Sequence, residues 1–302
     1  MDHSLNAMKN SARRLAKNLF RRVPVTQRNQ LDALSRSLDS FVQLVPQTLS
    51  ATRGYLYGQR FATIDDGKTP LVHARANPTE NNAESPLAAY FDRYSQGPGI
   101  WKWRHYLELY HRHLAKFIDQ EAHVLEIGIY SGGSLEMWKE YFGRHAQIYG
   151  VDIMDECKSY EGDAVRIFIG DQADENFWRR FKGSVPVLDV AIDDGGHQVE
   201  QQIASLEALL PHLRPGGVYI CEDIHGITNR FHAYICGLTR NMNSFTRCTD
   251  VDELASSSSG FQRHLHSVHL YPFAVVIEKR ATEVEKFVAP RRGTDWQPKF
   301  QK

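Results

Sequence analysis

"HVLEIGIYSGGSLEMWKEYF", residues 123–142, decides the fold. It opens as a short apolar run, the pattern of a strand buried on both faces. Glycines at 128, 132 and 133 then make a turn, and the rest repeats apolar side chains at helical spacing. A strand, a glycine-rich turn and a helix in that order begin an open α/β sheet, which binds its ligand beyond the strand ends.

The alternation continues downstream. "QIYGVDI" (147–153), "AVRIFIGD" (164–171), "VLDVAIDD" (187–194) and "GGVYICED" (216–223) read as strands. "ADENFWRRF" (173–181) and "VEQQIASLEALLPHL" (199–213) read as helices between them. A helical region follows around 230–246, and "HLHSVHLYPFAVVIEKR" (264–280) reads as two strands joined by a tight Tyr-Pro turn. The expected class is α/β: a Rossmann-like, doubly wound, mostly parallel seven-stranded sheet with an antiparallel edge hairpin, plus a mainly helical N-terminal region.

Three zones are expected: a helical and linker region over 1–95, the sheet domain over 96–281 and a polar tail over 282–302. In the first, Leu31, Leu34, Leu38, Phe41, Val42 and Val45 share one helical face, and the Gly-, Pro- and Asn-containing stretch 64–86 reads as a linker. "ASSSSG" at 255–260 reads as a flexible loop.

Composition excludes several classes. The 302 residues are 42% apolar and 24% charged, with acidic and basic residues in equal number. Zero net charge supplies no pull towards nucleic acid. No apolar run approaches the roughly 18 residues of a membrane span, so no integral membrane segment is expected. The basic N-terminus lacks a secretory core and cleavage site and reads as a solvated helix. Cys157, Cys221, Cys236 and Cys248 show no CxxC spacing and are expected as free thiols in a reducing compartment, the cytoplasm. A homo-oligomer is compatible with all of this.

The chemistry gathers at the strand ends. The glycine spacing is GxxxGG, not the GxGxxG of a dinucleotide site, and Glu126 stands two residues before the first glycine. Asp152 ends the second strand, where it can accept hydrogen bonds from a ribose diol. Asp171 and Gln172 follow the third, in reach of an adenine edge. Asp194 follows the fourth, and Glu222 and Asp223 follow the fifth. Three carboxylates on neighbouring strand ends make an all-oxygen site for a hard cation such as Mg²⁺. His197 sits one turn beyond Asp194, over the same crevice.

"LEIGIYSGGS", "GVDI", "IGDQ" and "DVAIDDGGH" together resemble a class I S-adenosylmethionine-dependent methyltransferase. The resemblance is nearest to the metal-dependent sugar O-methyltransferases of macrolide antibiotic pathways, and it covers about residues 97–280. It implies S-adenosylmethionine held by Glu126, Gly128, Ser131, Gly132, Asp152, Asp171, Gln172 and Asp193. It implies Mg²⁺ held by Asp194, Glu222 and Asp223, with His197 as the general base for a hydroxyl of a sugar or glycosylated small molecule. A cephalosporin-hydroxylase-like oxygenase shares such a fold and metal arrangement, and a catalytically silent binding protein is the rival from another class.

"WKWRHYLELYHRHLAKF" (101–117) reads as a helix burying Trp103, Tyr106, Leu107, Tyr110, Leu114 and Phe117. Trp101, His105 and His111 are candidates to reach substrate or cofactor from it. His225 and Arg230 are further substrate candidates, with surface placement the commoner fate of such residues.

Overall fold

The parallel strands β1 (His123–Ile127), β2 (Gln147–Asp152), β3 (Val165–Ile169), β4 (Leu188–Asp193) and β5 (Leu213–Cys221) form the expected sheet. The hairpin β8 (Leu265–Tyr271) and β9 (Ala274–Lys279) completes it. The order is β3-β2-β1-β4-β5-β9-β8, and β9 runs antiparallel to both its neighbours. β1 pairs in parallel with β2 on one side and β4 on the other, so the chain reverses its winding there. In this computed structural model the described residues are 48, 50–58, 85–249 and 254–294.

The chain divides into 1–82 and 83–302. Of the first unit, residues 50–58 are helical; the amphipathic pattern at 31–45 and most of the 64–86 linker lie outside the described residues. The second unit starts earlier than the expected 96. The reason is helix α1 (Pro86–Arg93), whose Leu87 and Tyr90 enter the core of the sheet domain.

Alternation along the strands explains why both faces are covered. Val190 and Ile192 of β4 face one core, while Ala191 between them faces the other. The first core packs α2 (Arg104–Leu114) and α3 (Gly133–Phe142) through Tyr106, Tyr110, Trp138 and Phe142. The second packs α4 (Glu175–Ser184), α5 (Val199–Leu209) and α6 (Arg230–Thr239) through Trp178, Phe181, Leu206 and Ile235. Side chains pointing to alternate sides of a parallel sheet give the near-continuous apolar runs seen in the sequence.

Two expectations fail in the same place. The serine-rich stretch is not a loop: Leu254–Ser257 is a strand, β7, and Ser259 caps the short helix α7 (Gly260–His264). The polar tail is not all tail: Lys286–Ala289 forms β10, which pairs with β7. With β6 (Thr246–Arg247) they make a three-stranded antiparallel sheet. The serines are structural hydrogen-bonders: Ser256 Oγ accepts the Thr246 amide at 2.9 Å, and Ser258 Oγ donates to the Glu285 carbonyl at 3.0 Å. Composition registers their polarity but not the backbone groups they satisfy.

Glycines divide sharply by what surrounds them. A Cβ on Gly133 would lie 2.3 Å from the Pro98 carbonyl and 2.6 Å from Ile100 Cγ1, whereas Gly237, in α6, has nothing within 4 Å. Gly133→Ala should therefore cost about 1–3 kcal/mol through overpacking. Gly237→Ala should gain about 0.4–1 kcal/mol through lost unfolded-state freedom. Urea unfolding of both variants checks the contrast.

Candidate active site

A cavity of about 970 Å³ opens beyond the C-terminal ends of β1, β2, β3, β4 and β5. That is the topological switch point, where an open α/β sheet leaves a crevice. Its walls include Gly128, Asp152, Asp171, Asp194, His197, Glu222 and Asp223, contributed by the loops that follow these strands.

Its centre is an ionic cluster. The ammonium of Lys102, buried just ahead of α2, stands 2.6 Å from Asp194 Oδ2, 3.2 Å from Glu222 Oε1 and 3.1 Å from Glu126 Oε1. One cation thus faces three carboxylates. Burial opposes a charge on Lys102, but Asp194 and then Glu222 outweigh it and hold the ammonium well above its usual pKa. Burial, reinforced by Asp194, pushes the Glu222 carboxyl upward against the pull of Lys102. The Tyr110 hydroxyl donates to Glu222 Oε1 at 2.5 Å. Nothing in the sequence marked Lys102: it stands in an aromatic run with no strand end nearby, and only the packing of 98–100 against Gly133 carries it inward.

The second half of the site is built on strained backbone. Both His197 and Asp223 have φ of 55°, a region that β-carbon crowding disfavours. Asp223 Oδ1 accepts from Trp103 Nε1 and from the Tyr106 hydroxyl, each at 3.0 Å, and these bonds fix it across the cleft. His197 Nε2 lies 3.6 Å from Asp223 Oδ2. The ligating atoms of Asp194, His197 and Asp223 all lie within 4.8 Å of one another. Glu222 stands outside this group, its Oε1 held by Lys102 and the Tyr110 hydroxyl. Strained residues that surrounding contacts over-determine are characteristic of functional sites.

The residues expected around a cofactor separate into two groups. Gly128, Asp152, Asp171 and Gln172 line the cavity; Glu126, Ser131, Gly132 and Asp193 do not. Glu126 is fully buried beneath the turn, where it accepts from Ser134 Oγ at 2.6 Å. Asp193 is also buried, and it accepts from Gln172 Nε2 at 3.0 Å and the Tyr219 hydroxyl at 3.1 Å. Both are supports for cleft residues: Glu126 shares the face of β1 that carries Val124, Asp193 the opposite face, with Ala191, and each is buried in protein. The glycines likewise make room for protein: a Cβ on Gly128 would meet the Asp194 carbonyl at 2.0 Å, and one on Gly132 the Tyr160 ring at 2.8 Å. Asp152 accepts the amides of Ile129 and Tyr130 at 2.8 and 3.1 Å, which fixes its orientation at the cavity wall.

Trp103 was expected on the buried side of α2 but is half exposed, since α2 begins at Arg104 and leaves the indole free to lie over the cleft. Trp101 lines the cavity and is 89% exposed. His105 bonds the Pro272 carbonyl and His111 the Tyr141 hydroxyl, each at 3.0 Å, and neither lines the cavity. His225 does line it, while Arg230 is tied at the surface to Glu200 at 2.9 Å.

Comparison with known proteins matches this geometry. A methyltransferase-domain profile covers residues 125–224. The 8-demethyl-8-alpha-L-rhamnosyl tetracenomycin-C 2'-O-methyltransferase of Streptomyces olivaceus is 30% identical over 273 residues, spanning 79% of this chain and 71% of that one. The chain belongs to the S-adenosylmethionine-dependent sugar O-methyltransferase family. Mycinamicin VI 2''-O-methyltransferase of Micromonospora griseorubida is 34% identical over 56% of this chain, which spans 47% of that relative. The matched part of the chain thus spans about half the length of that relative. Among solved structures, the MycE methyltransferase of the mycinamycin pathway in complex with Mg, SAH and mycinamycin VI superposes with a TM-score of 0.52. It is 29% identical, over 65% of this chain and 53% of the other.

Removing the central cation should expose its role. Lys102→Met leaves Glu126, Asp194 and Glu222 unneutralised and should cost about 3–5 kcal/mol in urea unfolding. Lys139→Met, at the surface pair with Glu136, should stay within about 0.5 kcal/mol.

Asp193 provides a pH signature. Burial raises its pKa from 3.8 to about 6, against the hydrogen bonds from Gln172 and Tyr219. Its native form therefore holds a proton longer than the unfolded chain does. Its contribution to stability is greatest below 3.8 and is lost as pH rises towards about 6. Relative to Asp193→Asn, wild-type stability should fall by up to about 3 kcal/mol across that window. Urea unfolding of both proteins at several pH values measures the difference.

Proposed function

We propose that the chain is an S-adenosylmethionine- and Mg²⁺-dependent O-methyltransferase acting on a hydroxyl of a sugar or glycosylated small molecule. The observation that carries this reading is the convergence of Asp194, Asp223 and His197 at the tips of β4 and β5. Family membership supports it, since relatives are named for methylation of glycosylated polyketides.

The residues fit both groups. For a hard divalent ion, Asp194, Asp223 and Glu222 supply oxygen donors. The carboxylates around Lys102 carry more negative charge than one ammonium cancels. For the sulfonium cofactor, the cavity has the volume of a small-molecule site. Asp152 stands ready for a ribose and Asp171 for an adenine edge, while the Gln172 side chain is committed to Asp193, Ser205 and the Gly196 amide. When bound, S-adenosylmethionine supplies an activated methyl group and the cation supplies positive charge that favours an alkoxide.

The chain's own contribution is proton removal and shielding. His197 Nε2 faces the cleft and takes the hydroxyl proton; Asp223 Oδ2, at 3.6 Å, balances the imidazolium that forms. Trp103 and Tyr106 hold Asp223 in place for that task. Exposed Trp101, Tyr130, Ile153 and Met154 give the cavity apolar walls suited to the faces of a sugar or purine. Among the described residues no helix is long and apolar enough to cross a membrane, and the four cysteines are unpaired. Both facts support a cytoplasmic location.

The test is S-adenosylhomocysteine formation with rhamnosylated and macrolide glycosides, in Mg²⁺ and in excess EDTA. Activity should require Mg²⁺. His197→Ala should lower kcat by about 10²–10⁴ while calorimetric affinity for S-adenosylmethionine stays within about threefold, since the imidazole is assigned to the acceptor. Equal loss of turnover and cofactor affinity would remove His197 as the base. Full activity in EDTA would remove the metal.

A further inference from the structure

We propose a second metal site, remote from the cleft, in which His113, His269 and Glu278 bind a borderline divalent ion such as Zn²⁺ and clip the C-terminal end of α2 to the edge hairpin.

The three donors come from separate elements. His113 lies near the end of α2, His269 on β8 and Glu278 on β9. Glu278 pairs directly with Ser267 across the hairpin, and His269 is two residues along β8, on the same face. α2 lays His113 over that face. His113 Nδ1 stands 3.0 Å from Glu278 Oε1, His269 Nε2 stands 3.9 Å from Glu278 Oε2, and the two imidazole centres are 4.6 Å apart. All three donor atoms fall within 4.8 Å of one another. Donors of a tetrahedral ion with bonds near 2.0–2.1 Å are separated by about 3.4 Å, so small side-chain rotations close the site.

Its chemistry differs from that of the cleft. Two imidazoles and one carboxylate select Zn²⁺ or its neighbours, not Mg²⁺. The outer contacts are already in place: His113 Nε2 lies 2.8 Å from the Tyr271 hydroxyl, which fixes the ring with Nδ1 facing the ion. His113 is buried while His269 is 38% exposed, which leaves one side open for a water ligand. The competing cation is Lys116, whose Nζ is 3.9 Å from Glu278 Oε1 and whose side chain is 46% exposed and free to withdraw. An ion here would steady the helix whose other end carries Tyr106 and Tyr110 to Asp223 and Glu222.

Cobalt(II) titration tests the site, since four-coordinate Co²⁺ absorbs visibly and Mg²⁺ does not. The full chain would carry Cys236→Ser, because Cys236 Sγ lies 3.8 Å from His232 Nε2 and offers a rival thiolate site. With Mg²⁺ saturating the cleft, one equivalent of Co²⁺ should bind, be displaced by Zn²⁺, and bind at least tenfold more weakly in His269→Gln and in Glu278→Gln. His197→Ala should leave the titration unchanged. Zn²⁺ should raise the Tm of the parent protein and leave that of His269→Gln unmoved, a readout that does not depend on spectra. No absorption in the parent, undiminished binding in both His269→Gln and Glu278→Gln, or loss of binding in His197→Ala would each overturn the proposal.

Discussion

A lysine ammonium buried among three carboxylates is the constraint on which the cleft depends. Carboxylates lose several kcal/mol each on leaving water unless they are paired and hydrogen-bonded. Here the pairing comes from Lys102 and the remaining bonds from Tyr110, Ser134 and the surrounding loops. Removing any partner strands a charge, so the segment 98–103, β1, β4 and β5 are locked to a common arrangement. The same cluster retains excess negative charge, which makes the cleft receptive to a further cation. Stability and function thus draw on one electrostatic feature.

Around it the chain uses small residues to let protein segments meet. Gly128 admits the backbone of Asp194, Gly132 the ring of Tyr160, and Gly133 the carbonyls of Pro98 and Gly99. These contacts bring Lys102 to the carboxylates and Tyr130 to the rim. Glycine-rich turns at strand ends are readily read as cradles for a ligand. In this molecule their first task is to let the loops beyond β1 and β4 and the segment before α2 close on each other. Gln172 performs the polar counterpart: its Nε2 donates to Asp193 and Ser205, and its Oε1 accepts the Gly196 amide at 2.7 Å, so the β4 loop is held from below.

Much of the site could be read from residues 123–223 because parallel strands impose a simple geometry. Residues that follow Ile127, Asp152, Ile169, Asp193 and Cys221 must emerge at one edge of the sheet. Asp194, His197, Glu222 and Asp223 therefore meet there without further information. Lys102 and Trp103 belong to no strand end, and their sequence context is that of an amphipathic helix. Their arrival in the cleft depends on where α2 starts and on how tightly 98–100 packs against α3. The division between Asp193 and Asp194 is similar: adjacent carboxylates at a strand end look alike in sequence, but the pleat sends one inward to Tyr219 and the other out to Lys102.

Residue periodicity alone reveals the α/β class, the seven strands of the main sheet, the edge hairpin and the strand-end carboxylates, although the hairpin turns at Pro272–Phe273, one residue beyond the expected Tyr-Pro pair. These follow from local periodicity, which a strand or helix expresses whatever surrounds it. Long-range packing sets the rest: that "LASS" pairs with "KFVA" as strands of a second sheet, that α1 belongs to the sheet domain, and that Glu126 supports the cleft without lining it. Each of these depends on contacts between residues far apart in the chain. A polar side chain placed by such contacts exchanges water for a specific partner, and a partner defined by packing leaves no mark on the residues beside it in sequence.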